Sequence, residues 1–128
     1  MKVLTLSIKQ KYFDQILAGE KKVETREIRP TNAKRYINYE CGGVMYDADA
    51  DLPESGEINI VPIQYDAIKL LTGAYTGKRP YALVECKGAN VYLLTDEKGN
   101  DITYQYKGEE YIASQIEYHL GKVIEKSV

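Results

Sequence analysis

The sequence predicts an α+β, mostly β fold: a single domain over residues 1–128, built as a small β-barrel of six or seven strands with one or two flanking helices. Three observations predict it. A chain of 128 residues suffices for one hydrophobic core but not for two. The C-terminal half consists of β-branched and aromatic segments separated by turn residues. Helical periodicity is confined to the N-terminal third.

The chain opens with a strand and a helix. Residues 3–8 alternate apolar and polar side chains, which predicts a strand. Ser7 and Gln10 have the spacing of a capping box, which predicts a helix over residues 9–18. Gly19 follows, and glycine readily adopts the left-handed conformation that ends helices. We therefore expect a tight turn at this glycine.

A second strand is predicted from Glu20 to Ile28, just before Arg29-Pro30. Strand periodicity assigns Val23 to the core face and Lys22, Glu24 and Arg26 to the opposite face. The charges on that face alternate in sign. If another element covers the strand, these groups must form pairs with each other or with a ligand.

The residues that follow the second strand are predicted to form one more helix, a loop and several strands. A short helix is predicted over residues 31–39, and residues 40–60 are predicted to form an exposed acidic loop insertion. Two hairpin turns are predicted, at residues 96–100 and 107–108. The predicted C-terminal strands are 63–71, 80–87, 89–95, 102–106 and 116–125.

Composition predicts a cytoplasmic protein without a membrane partner, a cofactor or a metal. Apolar runs are far shorter than the roughly 20 residues that span a bilayer, and the N-terminus lacks a signal-peptide pattern. Cys41 and Cys86 have no CxxC neighbour and are expected to be reduced thiols. The single histidine, His119, is expected to be structural.

The distribution of charge and aromatic residues is uneven. Residues 1–35 contain 9 of the 17 basic residues against 4 acidic ones, whereas residues 40–57 contain 6 acidic residues and no basic one. Such a dipolar surface can steer an anion to one side of the protein. The chain also has 12 tyrosines but no tryptophan. Most of these tyrosines suit sheet surfaces and the core, and one or two suit a base-stacking role.

A glycine-bounded segment, residues 73–79, does not match a phosphate-binding P-loop. Its spacing is one residue short, and Arg79 replaces the serine or threonine that would hold magnesium. This excludes a nucleoside triphosphate site of that type. The segment can still offer Tyr75, Lys78 and Arg79 to an anionic ligand.

The most specific pattern is Gly19, Lys21, Glu24 and Arg26, at the turn from the first helix into the second strand. Over residues 3–29 the sequence resembles the opening of an ASCH domain, whose hallmark is Gly-x-Lys-x-x-Glu-x-Arg. The resemblance implies a PUA-like barrel with a charged cleft that binds RNA, a nucleotide or a modified nucleoside. The expected ligand-binding residues are Lys9, Lys21, Lys22, Glu24, Arg26, Tyr75 and Arg79.

One ASCH branch resembles an N4-acetylcytidine amidohydrolase that uses a lysine and a threonine of this motif. Lys21 matches the lysine, but Glu24 occupies the threonine position. We therefore expect no robust hydrolysis of N4-acetylcytidine. Three functions remain open: a binding module, a small amidohydrolase or ribonuclease that uses Lys21 and Glu24 as its catalytic residues, and a protein-interaction module that docks a partner through its tyrosine-rich strands or acidic loop.

Overall fold

The computed structural model describes residues 1–47, 51–73 and 79–127, and this part of the chain is mostly β, as predicted. None of its helices is long and apolar enough to cross a membrane. The elements are, in chain order, β1 (Val3–Ser7), α1 (Gln10–Leu17), β2 (Val23–Ile28), α2 (Ala33–Tyr36), β3 (Ile37–Cys41), β4 (Val44–Tyr46), β5 (Ile58–Pro62), β6 (Ala67–Leu71), β7 (Tyr81–Leu93), β8 (Thr103–Tyr106), β9 (Glu109–Ile112) and β10 (Ser114–Ser127).

The chain divides into two compact units, each assembled from separate stretches. Strands β2, β7 and β10 contribute residues to both units because the boundaries fall inside them. The first unit comprises Met1–Glu24, Gln64–Ala89 and Tyr118–Val128, and the second comprises Thr25–Ile63 and Asn90–Glu117.

The largest sheet has the strand order β1-β6-β7-β10-β2. In the first unit, β1 runs parallel to β6, and β6 runs antiparallel to β7. Burial alternates along β1 as predicted, with Leu4 and Leu6 buried and Val3 and Thr5 exposed. The core of this unit is formed by Leu4, Leu6, Phe13, Ile16, Ala67, Ile68, Leu70, Ala82, Val84, Tyr118 and Leu120.

The first helix is confirmed, but its predicted cap is wrong. Helix α1 begins at Gln10 after Lys9, which makes no side-chain cap hydrogen bond. Ser7 instead ends β1, because pairing with Leu71 extends the strand to that position. The helix stops at Gly19, which has a φ of 77° as expected for a left-handed terminator.

The second unit contains the sheet β4-β3-β5 and the hairpin β8–β9. Residues 40–60 were predicted to be a loop, and this is wrong, since β4, β5 and the end of β3 lie there. Gly42 and Gly43 have φ angles of 61° and 83° and form the two-residue turn between β3 and β4. The Glu40 carboxylate accepts hydrogen bonds from the Gly43 N–H (2.7 Å) and from Asn59 Nδ2 (2.8 Å).

Other boundaries differ from the predictions. Helix α2 has only four residues, because Ile37 pairs with Pro62 and already belongs to a strand. Residues 81–93 form one strand where two were predicted, since Gly88 does not interrupt it. The described residues form ten strands, rather than six or seven, in three open sheets. Both hairpin turns are confirmed, at 96–100 and at 107–108.

Candidate functional site

The second unit contains a groove with a volume of about 540 Å³. This size lies within the range of small-molecule sites. All of its lining residues belong to that unit. The aliphatic lining residues are Ile28, Ala33, Ile37, Ile60, Leu93 and Ile112, and Pro30 lines the groove beside them. The polar and aromatic lining residues are Arg29, Lys34, Tyr39, Asp47, Tyr104, Glu110, Tyr111 and Ser114.

Planar side chains form a column on one side of the groove. The rings of Tyr104 and Tyr111 stack with centroids 5.7 Å apart and an interplanar angle of 20°. The guanidinium carbon of Arg29 lies 4.2 Å from the centroid of the Tyr104 ring. At this distance the cation is attracted to the π face. The column therefore consists of a guanidinium and two phenol rings.

The hairpin β8–β9 positions the two tyrosines. Lys107 and Gly108 both have positive φ angles, 50° and 82°, as required by the tight turn that aligns the strands. The resulting register places Tyr104 directly opposite Tyr111. Side chains of directly opposed residues lie on the same face of a sheet, so the rings meet. Tyr106 packs edge-on against Tyr111, with centroids 6.4 Å apart.

A hydrogen-bonded loop after β2 positions Arg29. Its backbone N–H donates to Asn32 Oδ1 (2.8 Å), and Asn32 Nδ2 donates to the Glu27 carbonyl (3.2 Å). The guanidinium also forms an ion pair with the Glu27 carboxylate. Pro30 follows and prevents continuation of the strand ladder. The hydrogen bonds of the loop therefore fix the backbone of Arg29, and the ion pair with Glu27 restrains its guanidinium.

The sheet β4-β3-β5 supplies another wall of the groove. Tyr39 of β3 pairs with Ile60 of β5, and both line the groove together with Ile37. These three residues share one face of the sheet because the side-chain period of a strand is two. Ile60 remains 43% exposed.

The charges in the groove are balanced. Arg29 and Lys34 are the basic lining residues, and Asp47 and Glu110 are the acidic ones. An apolar groove with few charged groups suits a ligand that has a flat, largely apolar body. It does not suit a polyphosphate, whose negative charge would need several cations.

The predicted basic residues of the first unit lie around α1 and β2. Lys9 precedes α1 and is exposed. The Lys21 ammonium lies 5.2 Å from the centroid of the Tyr12 ring. Lys22 is exposed, and its carbonyl accepts a hydrogen bond from the Leu120 N–H at 2.9 Å.

Glu24 and Arg26 are placed differently from the expectation. The predicted orientation of β2 is wrong, because Glu24 is buried, at 7% exposure, and Ile28 on the same face is buried too. Val23, which was predicted to be in the core, is only half-buried. Glu24 belongs to the first unit and Arg26 to the second. The predicted pairing of these two charges, with each other or with a shared partner, stays a prediction.

Arg79 interacts with the end of β1 and with the segment that follows β6. Its Nε donates to the Thr72 carbonyl (3.3 Å), and one terminal nitrogen donates to Ser7 Oγ (3.1 Å). Thr72 is almost fully buried and donates from its hydroxyl to Gln10 Oε1 (3.2 Å). Arg79 thus links three segments of the first unit. Tyr75 and Lys78, the other predicted residues of this segment, lie outside the described residues.

Sequence reasoning missed the residues of the groove. Arg29 was interpreted only as the residue before a proline, and Tyr104 and Tyr111 only as strand residues. One usable signal was the tyrosine spacing around Lys107-Gly108, since a two-residue turn there brings Tyr104 opposite Tyr111. No signal linked Arg29 to these tyrosines, because they are far apart in sequence.

Within the described residues, no group of three or more histidine, cysteine, aspartate or glutamate side chains is arranged to hold a metal ion. No protein-family model matches the chain, and neither a curated protein nor a solved structure matches it. The ASCH resemblance therefore rests on the spacing of Gly19, Lys21, Glu24 and Arg26, and membership of that family stays a prediction.

Proposed function

We propose that this protein binds RNA, a nucleotide or a modified nucleoside by stacking one base in the groove of the second unit. One observation carries the proposal: the column formed by Arg29, Tyr104 and Tyr111 at the side of a cavity of about 540 Å³. Unpaired bases stack on aromatic rings and on guanidinium planes, and Tyr104 already contacts both Arg29 and Tyr111, so a base would extend this column at its ends, on Arg29 or on Tyr111.

The remaining lining supports a base more than a phosphate chain. Aliphatic side chains offer apolar contacts to a ring, while Glu110 and Asp47 can accept hydrogen bonds from exocyclic amines. Lys34 is the basic lining residue available for one phosphate, since Arg29 already pairs with Glu27. A single base with at most one or two phosphates therefore fits this groove best.

The proposal includes the PUA-like barrel and the cytoplasmic location that the sequence predicts. The strand content and the spacing of Gly19, Lys21, Glu24 and Arg26 support the barrel. The proposal differs from the sequence expectation in the residues that bind, because none of the six predicted ligand-binding residues that the structure describes lines the groove of the second unit.

Substitution of the stacked tyrosines tests the proposal. The probes are uridine, cytidine, adenosine and guanosine, their 5′-monophosphates and a short single-stranded RNA, with binding measured by isothermal titration calorimetry. We expect Tyr104→Leu to weaken the best probe about tenfold, because it removes the central ring that supports Arg29 and Tyr111, and loss of one such stacking contact costs about 1–3 kcal/mol per base. Tyr92→Leu is the matched control, because Tyr92 is an exposed tyrosine of the same unit outside the groove.

The expected result is that Tyr92→Leu binds like the parent protein while Tyr104→Leu does not. The proposal is wrong if no probe binds the parent at millimolar concentration. It is also wrong if both leucine variants bind equally well. Chemical-shift mapping adds an independent readout, because a ligand in the groove should perturb the amides of β8 and β9 rather than those of β1 and β6.

A further inference from the structure

Strand β5 forms an unprotected edge of the sheet in the second unit. The strand order β4-β3-β5 places it at the end of the sheet among the described residues. Its sequence, Ile-Asn-Ile-Val-Pro, contains no charged residue, and Ile58, Asn59 and Ile60 are all exposed. Edges of this kind usually carry charged residues, bulges or prolines that prevent pairing with another strand.

The hydrogen-bond pattern shows which backbone groups of β5 point outward. The Ile63 N–H donates to the Tyr36 carbonyl at 2.9 Å, one step beyond the pair formed by Ile37 and Pro62. Along an antiparallel strand, residues whose backbone N–H and C=O groups bond the neighbouring strand alternate with residues whose groups point away from it. Asn59 and Val61 therefore face β3, and the residues whose backbone groups point outward are Ile58, Ile60 and Pro62.

Pro62 is the only protective residue on this edge, and it lies at its C-terminal end. Proline has no N–H, so this position is suited to the outward side of an edge strand. The N–H groups of Ile58 and Ile60 remain as outward donors. Strand β4, at the other edge of the sheet, has only three residues and offers a shorter template.

We propose that β5 pairs antiparallel with β5 of a second copy of this chain, with Asn59 opposite Asn59 of that copy. In this register, Ile58 lies opposite Ile60 of the other copy, and the two strands exchange about four backbone hydrogen bonds. Both outward N–H groups of each strand find acceptors. The two three-stranded sheets then form one continuous sheet.

Charge and symmetry favour a second copy. The strand is neutral, so two copies approach without repulsion between like charges in the paired segment. In this register Glu57, just before β5, lies opposite Val61 of the other copy, so the two Glu57 carboxylates do not face each other. Ile58 and Ile60 share one face of the sheet, so the pairing joins exposed isoleucines from both copies. Two-fold pairing also closes the assembly at two chains.

The dimer should be weak. A single pair of five-residue strands buries less than about 1,200 Å², the range of transient interfaces. We therefore expect self-association between about 10 µM and 1 mM, measured by sedimentation velocity. The weight-average mass should rise from that of one chain toward that of two.

Two matched lysine variants test this pairing. Ile58→Lys places a charge on the β5 edge and should remain monomeric up to 1 mM, because two copies would bring their lysines into one small patch. Met45→Lys is the control, since Met45 is an exposed residue of the opposite edge strand and should leave self-association unchanged. A parent protein that stays monomeric at 1 mM would overturn the proposal. So would equal effects of both variants, or growth beyond two chains.

A cross-linking variant tests the register. Opposed residues of a non-hydrogen-bonded antiparallel pair have Cα atoms about 4.5 Å apart, which is within disulfide range. Asn59→Cys should therefore form a disulfide-linked dimer on air oxidation, and Asn100→Cys, in the exposed turn after β7, should not. Ile58 and Asn59 lie outside the groove, so these variants leave base binding unchanged and separate this proposal from the preceding one.

Discussion

Arg29 makes two different interactions, and their strengths can be separated. Its guanidinium stacks on Tyr104 at 4.2 Å and pairs with the Glu27 carboxylate. The side chains of Arg29 and Glu27 are 43% and 50% exposed, so solvent screens the ion pair and its contribution to stability is at most about 1 kcal/mol. Planar stacking is what distinguishes arginine from lysine at this position.

Replacement of Arg29 by lysine should therefore weaken base binding although the charge is retained. An ammonium group has no plane on which a base can stack, so we expect affinity for the best nucleoside probe to fall about three- to tenfold. Isothermal titration calorimetry measures the effect. Glu27→Gln is the control, because it removes the ion pair and leaves the stacking intact. Equal loss of affinity in both variants would mean that the ion pair, and not the stacking, organises the groove.

The residue scale is also where sequence reasoning was weakest. The spacing of Gly19, Lys21, Glu24 and Arg26 is visible in the sequence, but the burial of Glu24 is not, because periodicity alone cannot decide which face of a strand is covered. Arg29 and Tyr104 meet only through the tertiary fold. Local patterns predict neighbours on one element and not contacts between distant elements.

At the scale of elements, Glu40 stabilises the turn between β3 and β4. Its carboxylate accepts hydrogen bonds from Asn59 and from the Gly43 backbone, and these bonds hold the pKa of Glu40 below its ordinary value. A carboxyl with a lowered folded-state pKa favours folding when it is ionised. This contribution is complete above the pKa of an unfolded glutamate, about 4.3. It is lost as the pH falls through the lower folded-state pKa.

Glu40→Gln should reduce the dependence of stability on pH in this acidic range. The free energy of unfolding, from urea titrations between pH 3 and pH 7, should fall less steeply on acidification for Glu40→Gln than for the parent. Asn59→Ala should have an effect in the same direction, because it removes the larger cause of the pKa shift. Parallel curves for the parent and Glu40→Gln would contradict this role.

Elements with local signals were predictable, and those without them were not. Helix α1, its glycine stop and the turn at Lys107-Gly108 each depend on neighbouring residues. Strand β5 escaped prediction because its pairing with β3 joins residues about 20 apart. Strands β3 and β4 pair locally across Gly42-Gly43, but this turn lies inside an acidic stretch. Acidic composition favours a loop when no partner is known. In this protein, the Gly42-Gly43 turn and the hydrogen bonds of Glu40 to Gly43 and Asn59 hold the acidic segment in a sheet.

At the scale of the whole molecule, charge limits the kind of nucleic acid that the proposed function allows. The net charge is −2, and residues 40–57 contain acidic but no basic residues. That acidic stretch belongs to the unit that contains the groove. Extended contact of this unit with a duplex backbone would bring phosphates toward these carboxylates, and the repulsion would lower affinity.

We therefore expect single-stranded RNA to bind more tightly than a duplex of the same length, with little dependence on salt. Arg29 and Lys34 are the basic residues that line the groove in the described part of the chain. Because Arg29 already pairs with Glu27, Lys34 neutralises about one phosphate of a single strand, which gives a slope of about −0.7 for the logarithm of the association constant against the logarithm of salt concentration. Fluorescence anisotropy with labelled RNA from about 50 to 300 mM KCl measures this slope. Lys34→Ala should reduce the magnitude of this slope by about 0.7 while the stacking of the base is retained.

A slope steeper than about −4, or tighter binding to the duplex, would mean that a basic surface outside the groove dominates binding. In that case the residues to test next are Lys9, Lys21 and Lys22, because the basic N-terminal region is the strongest concentration of positive charge in the sequence.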